Sequence, residues 1–168
     1  DESMLVQSQF IDVDNENLVF EFETSLQNLA ALRMETLTHP LLPNQGPGGD
    51  YEGGFTLLNL TVELQDLSLE EPMWKKVELE SAVATSEKND QSFSAKAIFG
   101  HVSQGWSISE NALGKDQAIV IWFKEPLGFR KSIRIRVKLS SGLNLHQMVG
   151  RPRFSVTHDR DAPVEVSS

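Results

Sequence analysis

Hydrophobic and polar residues alternate with a period of two along several short segments of the chain. The clearest segment spans residues 133–139, where Ile, Val and Leu alternate with Arg134, Arg136 and Lys138. Successive side chains of a β-strand point to opposite faces of a sheet, so this segment predicts a strand with one apolar and one cationic face. Three further segments alternate in the same way and are predicted as half-buried strands: residues 20–23, 32–35 and 77–83.

Other segments are apolar on both faces or too short to show a clear period. Residues 55–64 and 118–123 carry apolar side chains on both faces, which predicts central strands covered on both sides. Residues 154–157 predict a short closing strand. Residues 92–98 are the one segment that favours a helix, of one or two turns. The pattern therefore predicts an all-β protein.

Glycine- and proline-rich segments separate the predicted strands. The longest predicted loop covers residues 39–54, and residues 125–128 predict a tight turn. Residues 67–73 predict a crossover between the two halves of the fold. Many short strands with long connections predict one domain over residues 1–168, an antiparallel β-sandwich with jelly-roll or Greek-key connections.

Composition and charge narrow the range of partners. The 168 residues carry a net charge of −9, so nucleic acid is not expected as a partner. Residues 1–84 hold 16 of the 24 acids, whereas residues 85–168 hold 12 of the 15 bases. If the sandwich interleaves the two halves, opposite charges face each other across strands. The absence of Cys excludes disulfides and thiol chemistry, and the apolar segments are far shorter than the ~20 residues of a membrane span.

Several short motifs recur in the order found in one protein family. Residues 29–64 contain a strand, a loop His39-Pro40 to Gly49, and a second strand, and residues 97–157 contain further motifs. Together they resemble the β-sandwich segment of planctomycete-type secreted multidomain proteins, which also carry a cytochrome c domain and domains of unknown function. The approach to Trp106 also resembles discoidin-like, galactose-binding-like jelly rolls. The motifs of the second stretch are Gly105-Trp106, Gly114-Lys115-Asp116, residues 124–128 and residues 150–157.

This resemblance implies an extracytoplasmic accessory module, whether secreted, periplasmic or at the cell surface. The start at Asp1 leads us to expect a mature fragment or an excised piece of a longer protein, and the resemblance implies that this parent is a larger secreted protein. The chain departs from the family pattern at His39 and Phe99, where the family usually has Asp, and at Pro152, where it tends to have Phe. Whatever role the Asp carboxylates have in the family is therefore not expected in this chain.

Catalytic and metal-binding motifs are sparse. The four His, which include His101 and His146, lack zinc-site spacing, and no nucleophile or phosphate-loop motif occurs, so we expect no enzyme and no cofactor. A structural Ca²⁺ is the one ion that the sequence suggests, with Asn44, Asp50 and Glu52 of the long loop as candidate ligands. The alternative is a loop braced by its own Gly and Pro residues.

Aromatic and cationic side chains point to carbohydrate, because a ring covers the C–H face of a sugar while polar neighbours bond its hydroxyl groups. Tyr51 and Trp74 are predicted to be exposed rings, and Trp106 a structural core residue. Trp122 is either a ligand platform or packed beneath a loop.

The cations supply the rest of the predicted ligand site. Arg134, Arg136 and Lys138 could meet an acidic polysaccharide, but we expect Glu21, Glu23, Glu63 or Glu78 to neutralise most of this row across strands. Arg151 or Arg153 would then be the free cation nearest a loop.

Two functions compete at this point. The leading hypothesis is a non-catalytic carbohydrate-binding accessory module that binds polysaccharide through loops at one end of the sandwich. The alternative is a structural interaction domain that docks against other domains of its parent protein and binds no sugar.

Overall fold

The computed structural model describes residues 4–6, 9–14, 17–89, 92–99, 104–141 and 147–166. Over these residues the protein is an antiparallel β-sandwich, which confirms the predicted all-β class. The described strands, in chain order, are β1 (Met4–Val6), β2 (Gln9–Asp14), β3 (Asn17–Thr24), β4 (Leu29–Thr36), β5 (Thr56–Leu57), β6 (Asn59–Asp66), β7 (Lys75–Lys76), β8 (Leu79–Ala84), β9 (Trp106–Ser107), β10 (Gln117–Leu127), β11 (Ile133–Ser140) and β12 (Pro152–Thr157).

Two five-stranded sheets and one small ribbon account for these strands. The first sheet has the order β1-β12-β4-β10-β8, the second has the order β2-β3-β11-β6-β7, and β5 pairs with β9. Each sheet takes strands from both halves of the chain, the interleaving that the predicted jelly roll requires. The jelly-roll and galactose-binding-like assignments themselves stay predictions.

The core lies between the two sheets and follows the period-two pattern. The apolar residues of β11, Ile133 among them, are fully buried, while its cations face outward. Phe20 of the second sheet contacts Phe154 of the first, with ring centroids 5.2 Å apart. Trp106 is also fully buried, and its ring packs edge-on against Phe55 at 4.8 Å. The alternating residues therefore bury their apolar faces against each other as the sequence predicts.

Between β6 and β8 the chain changes sheets later than the sequence predicts. Residues 67–73 connect β6 to β7 within the second sheet, so the prediction of a crossover there is wrong. The chain passes to the first sheet between β7 and β8, at two consecutive residues. Val77 N donates to Val62 O in the second sheet at 2.8 Å, and Glu78 O accepts from Lys124 N in the first at 3.0 Å.

Two local elements also differ from prediction. Strand β10 continues through Pro126 to Leu127, so residues 125–128 are not a tight turn. The register with β4 shifts between Trp122 and Leu127, and such an irregularity accommodates a proline that has no N–H to donate. The predicted helix at residues 92–98 is a 3-10 helix at Ala95–Phe99, and the described chain has two others, Pro43–Gln45 and Glu110–Ala112.

Strand β4 is buried on both faces, although alternation predicted a half-buried strand. It lies in the first sheet between β12 and β10, which flank it on either side. Arg33 and Glu35 on its outer face are 7% and 0% exposed. Arg33 Nε donates to Ser155 Oγ at 3.1 Å, and Glu35 accepts from Arg153. Partners on a neighbouring strand therefore allow charged residues to be buried here.

Candidate functional site

The predicted ligand-binding residues lie on different parts of the surface. Tyr51 projects from the long loop and is 85% exposed. Trp74 lies on the outer face of the second sheet, and Trp122 on the outer face of the first. Arg151 is exposed near the long loop, where its carbonyl accepts from Leu37 N. These side chains do not form one site.

The outer face of the second sheet is a charged ladder in which cations and acids alternate across strands. Arg134 of β11 contacts Glu23 at 2.6 Å, and Arg136 contacts Glu21 at 2.6 Å and Glu63 at 3.6 Å. The ladder comprises Glu21, Glu23, Glu63, Arg134, Arg136 and Lys138. The predicted neutralisation of the cationic row is therefore correct for these acids, whereas Glu78 pairs with Lys124 instead.

Trp74 packs on Arg136 of the charged ladder and is half-buried. The guanidinium carbon of Arg136 lies 3.8 Å from the centroid of its ring. One face of the indole is therefore already covered by a cation that is itself held by two carboxylates. Trp74 serves the stability of the sheet face and is not an open platform on that side.

Trp122 and Arg153 also have protein partners. The indole N–H of Trp122 donates to Arg160 O at 2.9 Å, so residues after β12 pack beside the ring. Arg153 lies in the first sheet, whereas the cationic row of β11 lies in the second. It pairs bidentately with the buried carboxylate of Glu35, at 2.7 and 2.9 Å, which raises the pKa of the guanidinium. Arg153 is therefore not the free cation predicted.

Two of the three candidate calcium ligands, Asp50 and Asn44, brace the long loop with their side chains, and Glu52 takes part through its backbone N–H. Asp50 Oδ1 accepts from Glu52 N at 2.9 Å and from Gly54 N at 2.7 Å. Asn44, at φ 46°, donates from its side-chain amide to Tyr51 O at 3.2 Å. Within the described residues no group of three or more His, Asp or Glu side chains is placed to hold a metal ion.

The long loop is also closed by backbone contacts that demand glycine. A Cβ at Gly46 would collide with the carbonyl of Gly53, and one at Gly48 with the carbonyl of Gly54. His39 accepts from Leu41 N through Nδ1 at 3.2 Å, while His101 and His146 lie outside the described residues. The loop is thus a rigid connection held mainly by its own groups.

A cleft opens where three connections meet at one end of the sandwich. These are the β3–β4, β6–β7 and β10–β11 connections, and the cleft has a volume of about 860 Å³. We call it the loop-end cleft. Leu69, Gly128 and the half-buried ring of Phe129 also line it. Its polar lining residues are Gln27, Asn28, Asp66, Ser68, Arg130 and Lys131.

Hydrogen bonds fix the walls of the loop-end cleft. Gln27 donates to Ser25 O at 3.1 Å and to Lys131 O at 3.0 Å, and it accepts from Phe129 N at 3.1 Å. One side chain therefore ties the β3–β4 and β10–β11 connections together. Asn28 has a left-handed backbone (φ 55°), a conformation that Asn tolerates well. The cleft is preorganised by these local contacts.

Asp66 supplies a carboxylate at the cleft. Its Oδ1 accepts from Ser68 Oγ at 2.6 Å and from Ser68 N at 2.9 Å. These two hydrogen bonds lower the pKa of Asp66, and the charges of Lys75 and Arg130 lower it further. The group stays ionised at neutral pH with its orientation set by Ser68.

A second cleft of about 730 Å³ lies beside the sheet crossing at β7 and β8. Its floor includes Leu60 and Phe99, and its charged rim includes Lys124 and Glu78. Those two form an ion pair at 2.8 Å, which lowers the pKa of Glu78 and raises that of Lys124. One of the two cations that line this cleft, Lys124, is therefore engaged by Glu78, and the other is Lys76.

None of the residues that line the loop-end cleft was predicted from the sequence as a site residue. The available signal was the turn at residues 128–132, where Gly128 precedes Arg130 and Lys131 between two well-predicted strands. Loops on a rigid scaffold are where binding residues concentrate, and such a basic turn is a candidate on that ground. Which other loops share its end of the sandwich depends on the strand order.

Comparisons with known proteins place no relative beside this fold. No family model matches the chain, and neither a curated protein nor a solved structure matches it. Among the described residues, no helix has the length and apolar character to cross a membrane. The chemistry of the loop-end cleft is therefore the basis on which function is inferred.

Proposed function

We propose that this domain is a non-catalytic carbohydrate-binding module that holds a saccharide in the loop-end cleft. One observation carries the proposal: the cleft combines amide, hydroxyl, carboxylate and guanidinium groups on walls tied together by Gln27. Sugars need several donors and acceptors at fixed positions, and these side chains supply both. Phe129 adds a partly exposed ring against which an apolar sugar face can pack.

The cleft is better suited to binding than to glycoside hydrolysis. Hydrolysis generally uses two carboxyl groups across the scissile bond. Among the described residues that line the cleft, Asp66 is the sole carboxylate, and Ser68 engages it with two hydrogen bonds.

The secreted, extracytoplasmic setting of this proposal rests on the resemblance of residues 29–64 and 97–157 to the planctomycete-type segment.

The experiment is calorimetric titration of neutral and acidic oligosaccharides into the domain. We expect dissociation constants of roughly 10 μM to 1 mM, because an open cleft makes few anchor contacts. Asn28→Gly removes the amide but retains a residue suited to its left-handed backbone, and it should weaken binding several-fold. Asn44→Gly makes the same change at another left-handed Asn, on the long loop, and should leave the affinity unchanged.

The competing function, docking against other domains of a parent protein, is favoured by a different observation. Leu41 and Tyr51 of the braced long loop are 88% and 85% exposed. Large apolar side chains held out by a rigid loop are suitable anchors for a protein interface. If no oligosaccharide produces heat at millimolar concentration, or if both Asn variants weaken binding equally, the loop-end cleft is not a saccharide site and docking is favoured.

A further inference from the structure

The loop-end cleft differs from the cationic face of β11 in how its charges are paired. On β11, Arg134, Arg136 and Lys138 all contact carboxylates of the charged ladder. In the described part of the chain, Arg130 and Lys131 form no ion pair, although they precede β11 by only a few residues. Both are exposed. The two cations that line the cleft are therefore available to a ligand.

The one carboxylate at the cleft does not neutralise this charge. Ser68 already engages Asp66 with two hydrogen bonds, and Lys75 of β7 adds a third cation close enough to act on it electrostatically. The residues that line this cleft thus carry two cations and one carboxylate, in a protein of net charge −9. Arg130 acts on Asp66 through its charge but forms no ion pair with it, and exposed cations without an ion pair beside amide and hydroxyl groups favour an anionic ligand.

We propose that the saccharide bound in the loop-end cleft is acidic, carrying carboxylate or sulfate groups, with Arg130 as the principal anion-binding residue. This inference rests on the proposed saccharide-binding function of the same cleft. The planar guanidinium of Arg130 offers two parallel N–H donors that match a carboxylate or a sulfate. Lys131 adds a second positive charge at the same turn.

The test compares one sugar backbone with and without its charge. Oligogalacturonate, its methyl ester and a sulfated oligosaccharide are titrated at low salt and again at physiological salt. We expect the free acid to bind about tenfold or more tightly than the ester, in line with a charge-assisted hydrogen bond. Physiological salt should weaken the binding of the free acid and leave the binding of the ester unchanged, because exposed charges are screened over ~8 Å at that ionic strength. The sulfated arm shows which anion is preferred.

Matched variants assign the effect to the cleft. Arg130→Ala with Lys131→Ala should remove the preference for the acid and leave the ester affinity unchanged. Lys96→Ala with Lys115→Ala removes the same charge from two exposed lysines outside the cleft and should preserve the preference. Arg130→Lys keeps the charge but loses the bidentate geometry, so its preference for the acid over the ester should lie between those of the two double variants. Unchanged urea midpoints establish that each variant is folded.

The possible outcomes distinguish failure of the acidic-ligand proposal from failure of the proposed saccharide-binding function. Equal affinity for acid and ester, with no effect of the Arg130 and Lys131 changes, overturns the acidic ligand while saccharide binding stands. If both double variants lose the preference for the acid equally, the preference is an effect of net charge, and the acidic-ligand proposal is also overturned. No binding of any sugar overturns both proposals.

Discussion

At the scale of single residues, Glu35 is a charged side chain that the fold buries completely. Its carboxylate is fully buried on β4 and accepts two hydrogen bonds from Arg153 of the neighbouring strand. Arg153 itself remains a quarter exposed. A buried charge is tolerated only when paired, so this contact is a condition for the outer face of the first sheet to form as it does.

Replacement of Arg153 should therefore be costly. We expect Arg153→Ala to lower the free energy of unfolding by about 3 kcal/mol, because it leaves a buried carboxylate without its bidentate partner. Arg151→Ala is the matched control, an exposed arginine two residues away, and should change stability by less than about 0.5 kcal/mol. Urea denaturation of both variants measures the difference, and equal effects would contradict the structural role assigned to Arg153.

At the scale of elements, β11 shows how one strand divides its two faces between structure and solvent. Its apolar residues fill the core, and its cations build the charged ladder with β3 and β6. Position within the ladder sets the degree of burial. Arg136 lies between Glu21 and Glu63 beneath Trp74, whereas Arg134 pairs with Glu23 where both side chains are more exposed.

Two arginines of the same strand and face thus provide an internal comparison. Arg136→Ala should cost about 1–2 kcal/mol, because it removes a shielded ion pair and the stack on Trp74. Arg134→Ala should cost less than about 1 kcal/mol. Denaturation midpoints test the order, and calorimetry should find saccharide binding intact in both. A loss of binding with unchanged stability would move the site to the ladder.

At the scale of the whole molecule, the interleaved sheets bring the acidic first half of the chain against the basic second half. Arg134 meets Glu23 across 111 residues of sequence, and Arg153 meets Glu35 across 118. Lys124 and Glu78 join β10 to the crossing segment in the same manner. Folding therefore converts a lopsided charge distribution into cross-strand pairs, and stability depends on the ionised state of the acids.

The pH dependence of stability follows in sign from the pKa shifts. Lys124 lowers the pKa of Glu78 from 4.5, so this pair stabilises the fold above about pH 4.5 and loses its effect as pH falls through the lowered value. The raised pKa of Lys124 preserves the same contribution up to about pH 10.5, and it is lost as pH rises further through the raised value. Asp66 behaves as Glu78 does, from an ordinary value of 3.8.

Glu78→Gln should accordingly be less stable than the unmodified protein at pH 7, with the difference vanishing as the medium is acidified. Glu110→Gln alters an exposed acid that makes no side-chain hydrogen bond or ion pair with the described residues, and should show no such pH-dependent difference. Urea midpoints between pH 3 and pH 8 measure both. A Glu78→Gln difference that stays constant with pH would contradict the ion pair as its cause.

The loops limited what could be predicted of the candidate site. Tyr51 is exposed and Trp106 is buried, as the local sequence indicated, since each lies in a segment whose character is set by its immediate neighbours. Arg153 and the loop-end cleft were not predictable in this way. The partner of Arg153 lies in a distant strand, and the cleft needs three separate connections to meet at one end.

The sequence by itself determined the all-β class, the positions of the main strands and the face on which each side chain of β11 lies. These are consequences of the period-two geometry of an extended chain, which needs no knowledge of neighbours. Only the tertiary structure decided which cations are paired and which are free. Pairing depends on strand order and register between residues more than a hundred positions apart, so Arg134 and Arg153 became structural while Arg130 and Lys131 remained at an open cleft.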